Sequence, residues 1–110
     1  MRMFGRIAIA ALLALMEGAL PAHATSGPGC LVVVGVGYGD VLNLRKRPSA
    51  SVPIVDALEP NRHGIIHLDG ECRPLSVAWG SRWCPVTHYY GDRTSHGWVK
   101  ARFVRDSDCP

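Results

Sequence analysis

Apolar positions in this chain keep more than one rhythm. Ile7 to Met16 is an unbroken apolar run of ten residues. Beyond residue 30 the runs shorten and begin to alternate. Leu31 to Val36 is apolar and rich in β-branched residues, which predicts a strand. In Val41–Arg45 the alternation is strict: Leu42 and Leu44 point one way, Val41, Asn43 and Arg45 the other. The two leucines are the expected core face. Val52 to Leu58 turns apolar again, but Pro53 argues against a helix interior and against a central strand. Ile65 to Leu68 predicts another strand. In Trp83 to Tyr90, Cys84, Val86 and His88 share one face, while Trp83, Thr87 and Tyr89 share the other. Pro85 in that run suggests an edge or a bulge. A last strand opens at His96-Gly97-Trp98-Val99 and ends near Phe103-Val104.

Turn chemistry separates these runs. Pro48-Ser49-Ala50-Ser51, Pro60 to Gly64, Asp69-Gly70 and Gly91 to Gly97 each read as a reversal. Arg73 to Arg82 has no clean period and reads as an enlarged loop. Five or six short strands with a turn every eight to twelve residues describe a small all-β sandwich or barrel. Helix is expected only as a turn or two, near Ile54–Leu58 or Lys100–Phe103.

The first apolar run belongs to a different kind of segment. Arg2 and Arg6 precede it, Glu17 ends it too early for a spanning helix, and Pro21 then leads into Ala22-His23-Ala24. That order predicts a secretory signal peptide over residues 1–24, cut after Ala24. The expected organisation is a signal-peptide helix, a flexible lead-in over 25–30, and one domain over 31–110. The product would be periplasmic or secreted, with no stable membrane insertion after cleavage.

A domain of this size buries a modest core and usually needs covalent support. All four cysteines, Cys30, Cys72, Cys84 and Cys109, fall in the exported part, an even number in an oxidising compartment. Three pairings are open. We favour Cys72 with Cys84, stapling neighbouring strands, and Cys30 with Cys109, tying the chain ends. Zinc sites bring ligands in close pairs such as C-x-x-C. No such pair occurs, and His63, His67, His88 and His96 are scattered, so neither metal nor other cofactor is expected.

Charge changes the picture little. Without Arg2, Arg6 and Glu17 the chain keeps ten basic and eight acidic residues, a balance far from that of a nucleic-acid binder. Gly35, Gly37 and Gly39 suggest a phosphate loop, yet they run into the strand VLNLR rather than a helix N-terminus. Arg45-Lys46-Arg47 reads as a solvated turn.

Asp40-Val41-Leu42-Asn43-Leu44-Arg45, with Pro48-Ser49, Pro53-Ile54-Val55 and Leu58, resembles the opening of bacterial SH3 (SH3b) domains. Trp83-Cys84-Pro85-Val86 is similar to that family's W-x-x-V strand. His96-Gly97-Trp98-Val99 with Phe103-Val104 is similar to its closing G-W-V and Y-L. The resemblance spans Leu31 to Val104 and implies an SH3-like barrel in which Leu42, Asn43, Leu44, Arg45, Pro48, Trp83, Val86, Gly97, Trp98 and Val99 are framework positions. It also matches a bridge between Cys72 and Cys84. Lys46-Arg47 in place of a small residue and glycine, the long loop before Trp83, and Phe103 in place of tyrosine depart from the pattern.

A cysteine hydrolase could be imagined from Cys84 and His88, but a disulfide-bonded cysteine has no thiolate. A non-catalytic binding module suits so small a barrel better. Trp79, Tyr89 and Tyr90 are the candidate ligand residues, as a platform for a peptide or sugar ring. The resemblance implies a cell-wall peptide or a periplasmic or extracellular protein as partner. The alternative is a secreted structural or inhibitory domain docking on one protein.

Overall fold

A computed structural model of the chain describes residues 29–110; the expected leader, its cleavage point and residues 25–28 of the expected lead-in lie outside them. The described chain is all-β. Its strands are β1 (Gly29–Val33), β2 (Leu42–Arg45), β3 (Ile54–Leu58), β4 (Ile65–Leu68), β5 (Trp83–Tyr90), β6 (Arg93–Lys100) and β7 (Val104–Ser107). Single turns of 3-10 helix stand at Trp79–Ser81 and Ala101–Phe103. All seven strands join one antiparallel sheet in the order β3-β2-β6-β5-β4-β1-β7.

Seven strands exceed the expected five or six because the last apolar stretch divides. Its first part is β6, which begins at Arg93 rather than His96, since Gly91-Asp92 alone completes the reversal with Gly91 at φ 63°. The turn at Ala101–Phe103 then breaks the run and β7 follows. Ile54–Leu58, where a helical turn was one expectation, is the edge strand β3. β1 starts at Gly29, so Cys30 lies inside a strand and not in a lead-in. It ends at Val33, because the Val34 amide leaves the ladder for the Phe103 carbonyl and Gly35 takes a positive φ.

Every strand feeds one apolar cluster. Leu31 and Val33 of β1, Leu42 and Leu44 of β2, Leu58 of β3, Ile66 and Leu68 of β4, Cys84 and Val86 of β5, Val99 of β6 and Val104 of β7 meet there. A flat seven-stranded sheet could not bring its two edges to one core, so the sheet is curled around it. The alternation in β2 holds: Leu42 and Leu44 are buried, while Asn43 and Arg45 stay half-exposed. β2 can cross β6 because Gly97 has no side chain. A Cβ there would stand 2.5 Å from the Arg45 carbonyl oxygen and 2.9 Å from Leu44 Cγ.

Pro85 corrects another expectation. It occupies the central strand β5, between β4 and β6, opposite Trp98. Its carbonyl faces the β4 side and accepts from the Asp69 amide at 2.9 Å, just past the point where β4 ends at Leu68. The donor that proline lacks therefore falls beyond the ladder. Covalent closure follows the favoured pairing, Cys30 with Cys109 and Cys72 with Cys84.

Candidate functional site

The glycine-bearing segment between β1 and β2 forms one wall of a groove. Gly35 and Gly39 adopt positive φ, and the Asp40 amide closes a turn on the Gly37 carbonyl at 3.0 Å. Asp40 Oδ1 accepts from the Val41 amide at 2.8 Å, which turns the chain into β2. This wall is no phosphate loop, since β2 and not a helix follows it. The opposite wall comes from the start of β5, the end of β6 and the 3-10 turn: Trp83, Lys100, Arg102 and Phe103. Between them lies a space of about 430 Å³, also lined by Val36, Val41, Leu42, Asn43, Arg45 and Ala50. Lys100 Nζ sits 4.6 Å from the centroid of the Trp83 ring, a cation–π contact that fixes both at the groove. Arg45 donates to the Val52 carbonyl at 3.1 Å and braces the turn around exposed Pro48.

The enlarged loop before β5 is held by its own polar contacts. Arg82 donates from Nε to the Val77 carbonyl at 2.9 Å and from a terminal nitrogen to that of Leu75 at 3.1 Å. Arg73 and Trp83 exchange backbone hydrogen bonds at 2.8 and 2.7 Å. Arg102 Nε donates to the Gly80 carbonyl at 3.2 Å, so the turn carrying Trp79 is tied to a groove residue. Trp79 is 48% exposed and Leu75, four residues earlier, is exposed as well.

The aromatic residues singled out in the sequence do not form one platform. Trp79 precedes the start of β5, whereas Tyr89 and Tyr90 end that strand, eight residues long. Tyr89 and Tyr90 also point to opposite faces. Tyr89 lies opposite Ile65, and Tyr90 stacks on His88 with ring centroids 6.0 Å apart. Of the three, Trp79 alone neighbours the groove, through Gly80 and Arg102.

Tyr90 borders a smaller hollow of about 200 Å³ with Glu59, Arg62, His63 and Arg93. Behind it lies a buried polar cluster that the sequence reading missed. Asp56 Oδ2 accepts from His88 Nδ1 and from Ser95 Oγ, both at 2.8 Å; Oδ1 accepts from Arg93 at 2.9 Å and from the Ala57 amide at 2.8 Å. Burial alone would raise the Asp56 pKa, but the bonds from His88, Ser95 and Ala57 and the charge of His88 outweigh it and bring it down to about 2. His88 Nε2 meets the His63 carbonyl, so both ring nitrogens face oxygen acceptors. Burial also lowers the pKa of His63, against a bond to the Gly64 carbonyl that raises it, and the charge of His88 adds to the lowering.

Ser95, Asp56 and His88 do not form a nucleophile with its base. The hydroxyl bonds the carboxylate instead of the imidazole, and neither nitrogen of His88 is free to take its proton. Cys84 is in a disulfide. A second polar row crosses the outer face. Thr87 Oγ1 donates to Asp69 Oδ2 at 2.7 Å and accepts from His96 Nδ1 at 3.0 Å, and His67 Nδ1 donates to Asp69 Oδ1 at 3.0 Å. Among the described residues no group of three or more His, Cys, Asp or Glu side chains is placed to hold a metal ion. Likewise, none of their helices is long and apolar enough to cross a membrane.

No protein-family model matches the chain significantly, and neither does any curated protein or solved structure.

Proposed function

We propose that the protein is an exported, non-catalytic binding module whose ligand lies in the groove between the Gly35–Asn43 segment and the Trp83–Lys100–Phe103 wall. The observation that carries this reading is the groove itself. It is concave, with aromatic rings on one wall, and is lined by both apolar and charged groups, the usual makeup of a recognition site. Its size suits a few residues of extended peptide. The resemblance of the chain to bacterial SH3 domains supplies the ligand class: a peptide of the cell wall, or a segment of a periplasmic or extracellular protein. Two disulfides are compatible with an oxidising compartment, and the predicted leader narrows that to the periplasm or the exterior.

Co-sedimentation of residues 25–110 with purified sacculi tests this. Ala50 is exposed on the groove lining, so Ala50→Trp fills the groove without disturbing the core. Retention of the parent chain with at least ~10-fold weaker retention of Ala50→Trp is expected, since a blocked pocket forfeits most of its contact energy. A parent chain left in the supernatant removes the cell-wall reading in favour of a single protein partner. Equal retention of both chains places the contact elsewhere.

A further inference from the structure

Among the described residues His88 is the one histidine whose ring is buried. Both of its nitrogens meet groups that can only accept. Nδ1 lies 2.8 Å from Asp56 Oδ2, and Nε2 meets the His63 carbonyl. A carbonyl oxygen has no hydrogen to give, and Asp56, its pKa brought down to about 2, is a carboxylate at neutral pH. A hydrogen on each nitrogen satisfies both contacts, which makes the ring an imidazolium. Charged and titratable groups face it from several sides. Asp56 comes from β3, and Arg93 of β6 donates to the other oxygen of that carboxylate at 2.9 Å. Tyr90 stacks on the ring from further along β5, and Glu59, Arg62 and His63 of the β3–β4 turn line the hollow beside it. β4 sets apolar Ile66 opposite it.

We infer that His88 is a proton-dependent latch: as an imidazolium it clamps the turn over residues 59–64 onto β5, and on losing its proton it releases that turn while keeping Asp56. The two ends of the ring are not equally replaceable. A neutral ring with its hydrogen on Nδ1 still donates to Asp56, which Ser95, Arg93 and the Ala57 amide also hold. Nε2 then turns a lone pair toward the His63 carbonyl, and two acceptors cannot bond. Among the described residues no other side chain outside the turn hydrogen-bonds into it; its remaining side-chain contacts, His63 to the Gly64 carbonyl and Arg62 to Glu59, are internal. The clamp is therefore closed on the acid side of the His88 titration and opens as pH rises through it, because the bond exists only with the proton in place. At the other extreme it weakens as Asp56 takes up a proton near pH 2. What opens is the hollow of about 200 Å³, whose lining shares no residue with the groove, so the latch is independent of where a ligand binds.

The test follows the imidazole ¹⁵N shifts of His88 and the carbonyl ¹³C shift of His63 in labelled protein from about pH 5 to about pH 10, a span that covers histidine titration. At the lower end both nitrogens of His88 should carry hydrogen. As pH rises Nε2 should lose its hydrogen while Nδ1 keeps its own, and the His63 carbonyl shift should move with the same midpoint while the amides of Ala57 and Leu58 in β3 stay in place. Two variants separate the parts. His63→Gln removes the second imidazole but keeps the carbonyl, so the coupled transition should persist. Arg93→Gln, at a largely exposed position, removes a cation that competes for Asp56 and should move the transition to higher pH. A ring with one hydrogen at the lower end, or with two throughout, overturns the latch. So does a His63 carbonyl shift indifferent to the His88 titration, a transition that disappears in His63→Gln, or one that Arg93→Gln leaves in place or moves to lower pH.

Discussion

Among the described residues, Asp56 is the one on which most side-chain hydrogen bonds converge. Four donors reach its two oxygens, and three of them come from β5 and β6, far away in sequence. Its carboxylate is more acidic in the folded chain than the usual 3.8, at about 2. The sign follows directly: the folded state favours the ionised form, so the contribution is complete above the unfolded pKa near 3.8 and fades as pH falls through the folded one. Between these values the chain is expected to lose about 2 kcal/mol of stability from this group. Asp56→Asn leaves His88 and Arg93 without their anion and is expected to cost about 3 kcal/mol at neutral pH. Urea melts of parent and variant from about pH 5 to pH 2 check both points, the variant showing the flatter acid dependence. Nothing in the local sequence marks Asp56 as special. Its neighbours Ile54 and Val55 are both exposed, so β3 lacks the alternation that would have turned Asp56 inward on paper.

At the scale of elements, legibility followed burial pattern. β2 and β4 could be read because one face is wetter than the other, and β5 keeps that alternation only as far as Val86. Leu42 and Leu44 show this most plainly. β3 was harder because it is an edge strand, and the register shift between Leu44 and Arg45 breaks the simple pairing with it. The ordered loop before β5 was illegible, since its order comes from Arg82 reaching back to two carbonyls and Arg102 reaching across to Gly80. The bridges act at this scale too. Cys72 and Cys84 close a loop with a sequence separation of 12, and Cys30 and Cys109 one of 79. Loop-closure entropy makes their removal cost about 3 and about 4.5 kcal/mol respectively. Paired Cys→Ala variants compared by thermal melting should therefore rank with the Cys30–Cys109 variant as the less stable. The reverse order would mean that the short bridge carries native contacts beyond its closure of the chain.

For the whole molecule, the curled sheet explains why the candidate site was mostly hidden in the sequence. The groove exists because residues 35–43 fold against residues 83–103, and only the three-dimensional closure of the sheet brings them together. Trp83 and Arg45 stood out as motif positions. Nothing in the sequence singled out Lys100 and Arg102, because their lack of an ion-pair partner among the described residues is a property of the assembled wall. Trp79, before β5, and Tyr89 and Tyr90, at its end, were grouped in sequence for the converse reason: composition carries no record of which end of a strand a ring stands at. The account thus rests on one location for ligand binding. Backbone amide and indole resonances of ¹⁵N-labelled residues 25–110, followed during titration with soluble peptidoglycan fragments, test that location most directly. Shifts should concentrate at Gly35–Asn43, the Trp83 indole and Lys100–Phe103. Shifts confined to Tyr89, Tyr90 and the hollow beside Arg93, or no shifts at saturating fragment, would contradict it.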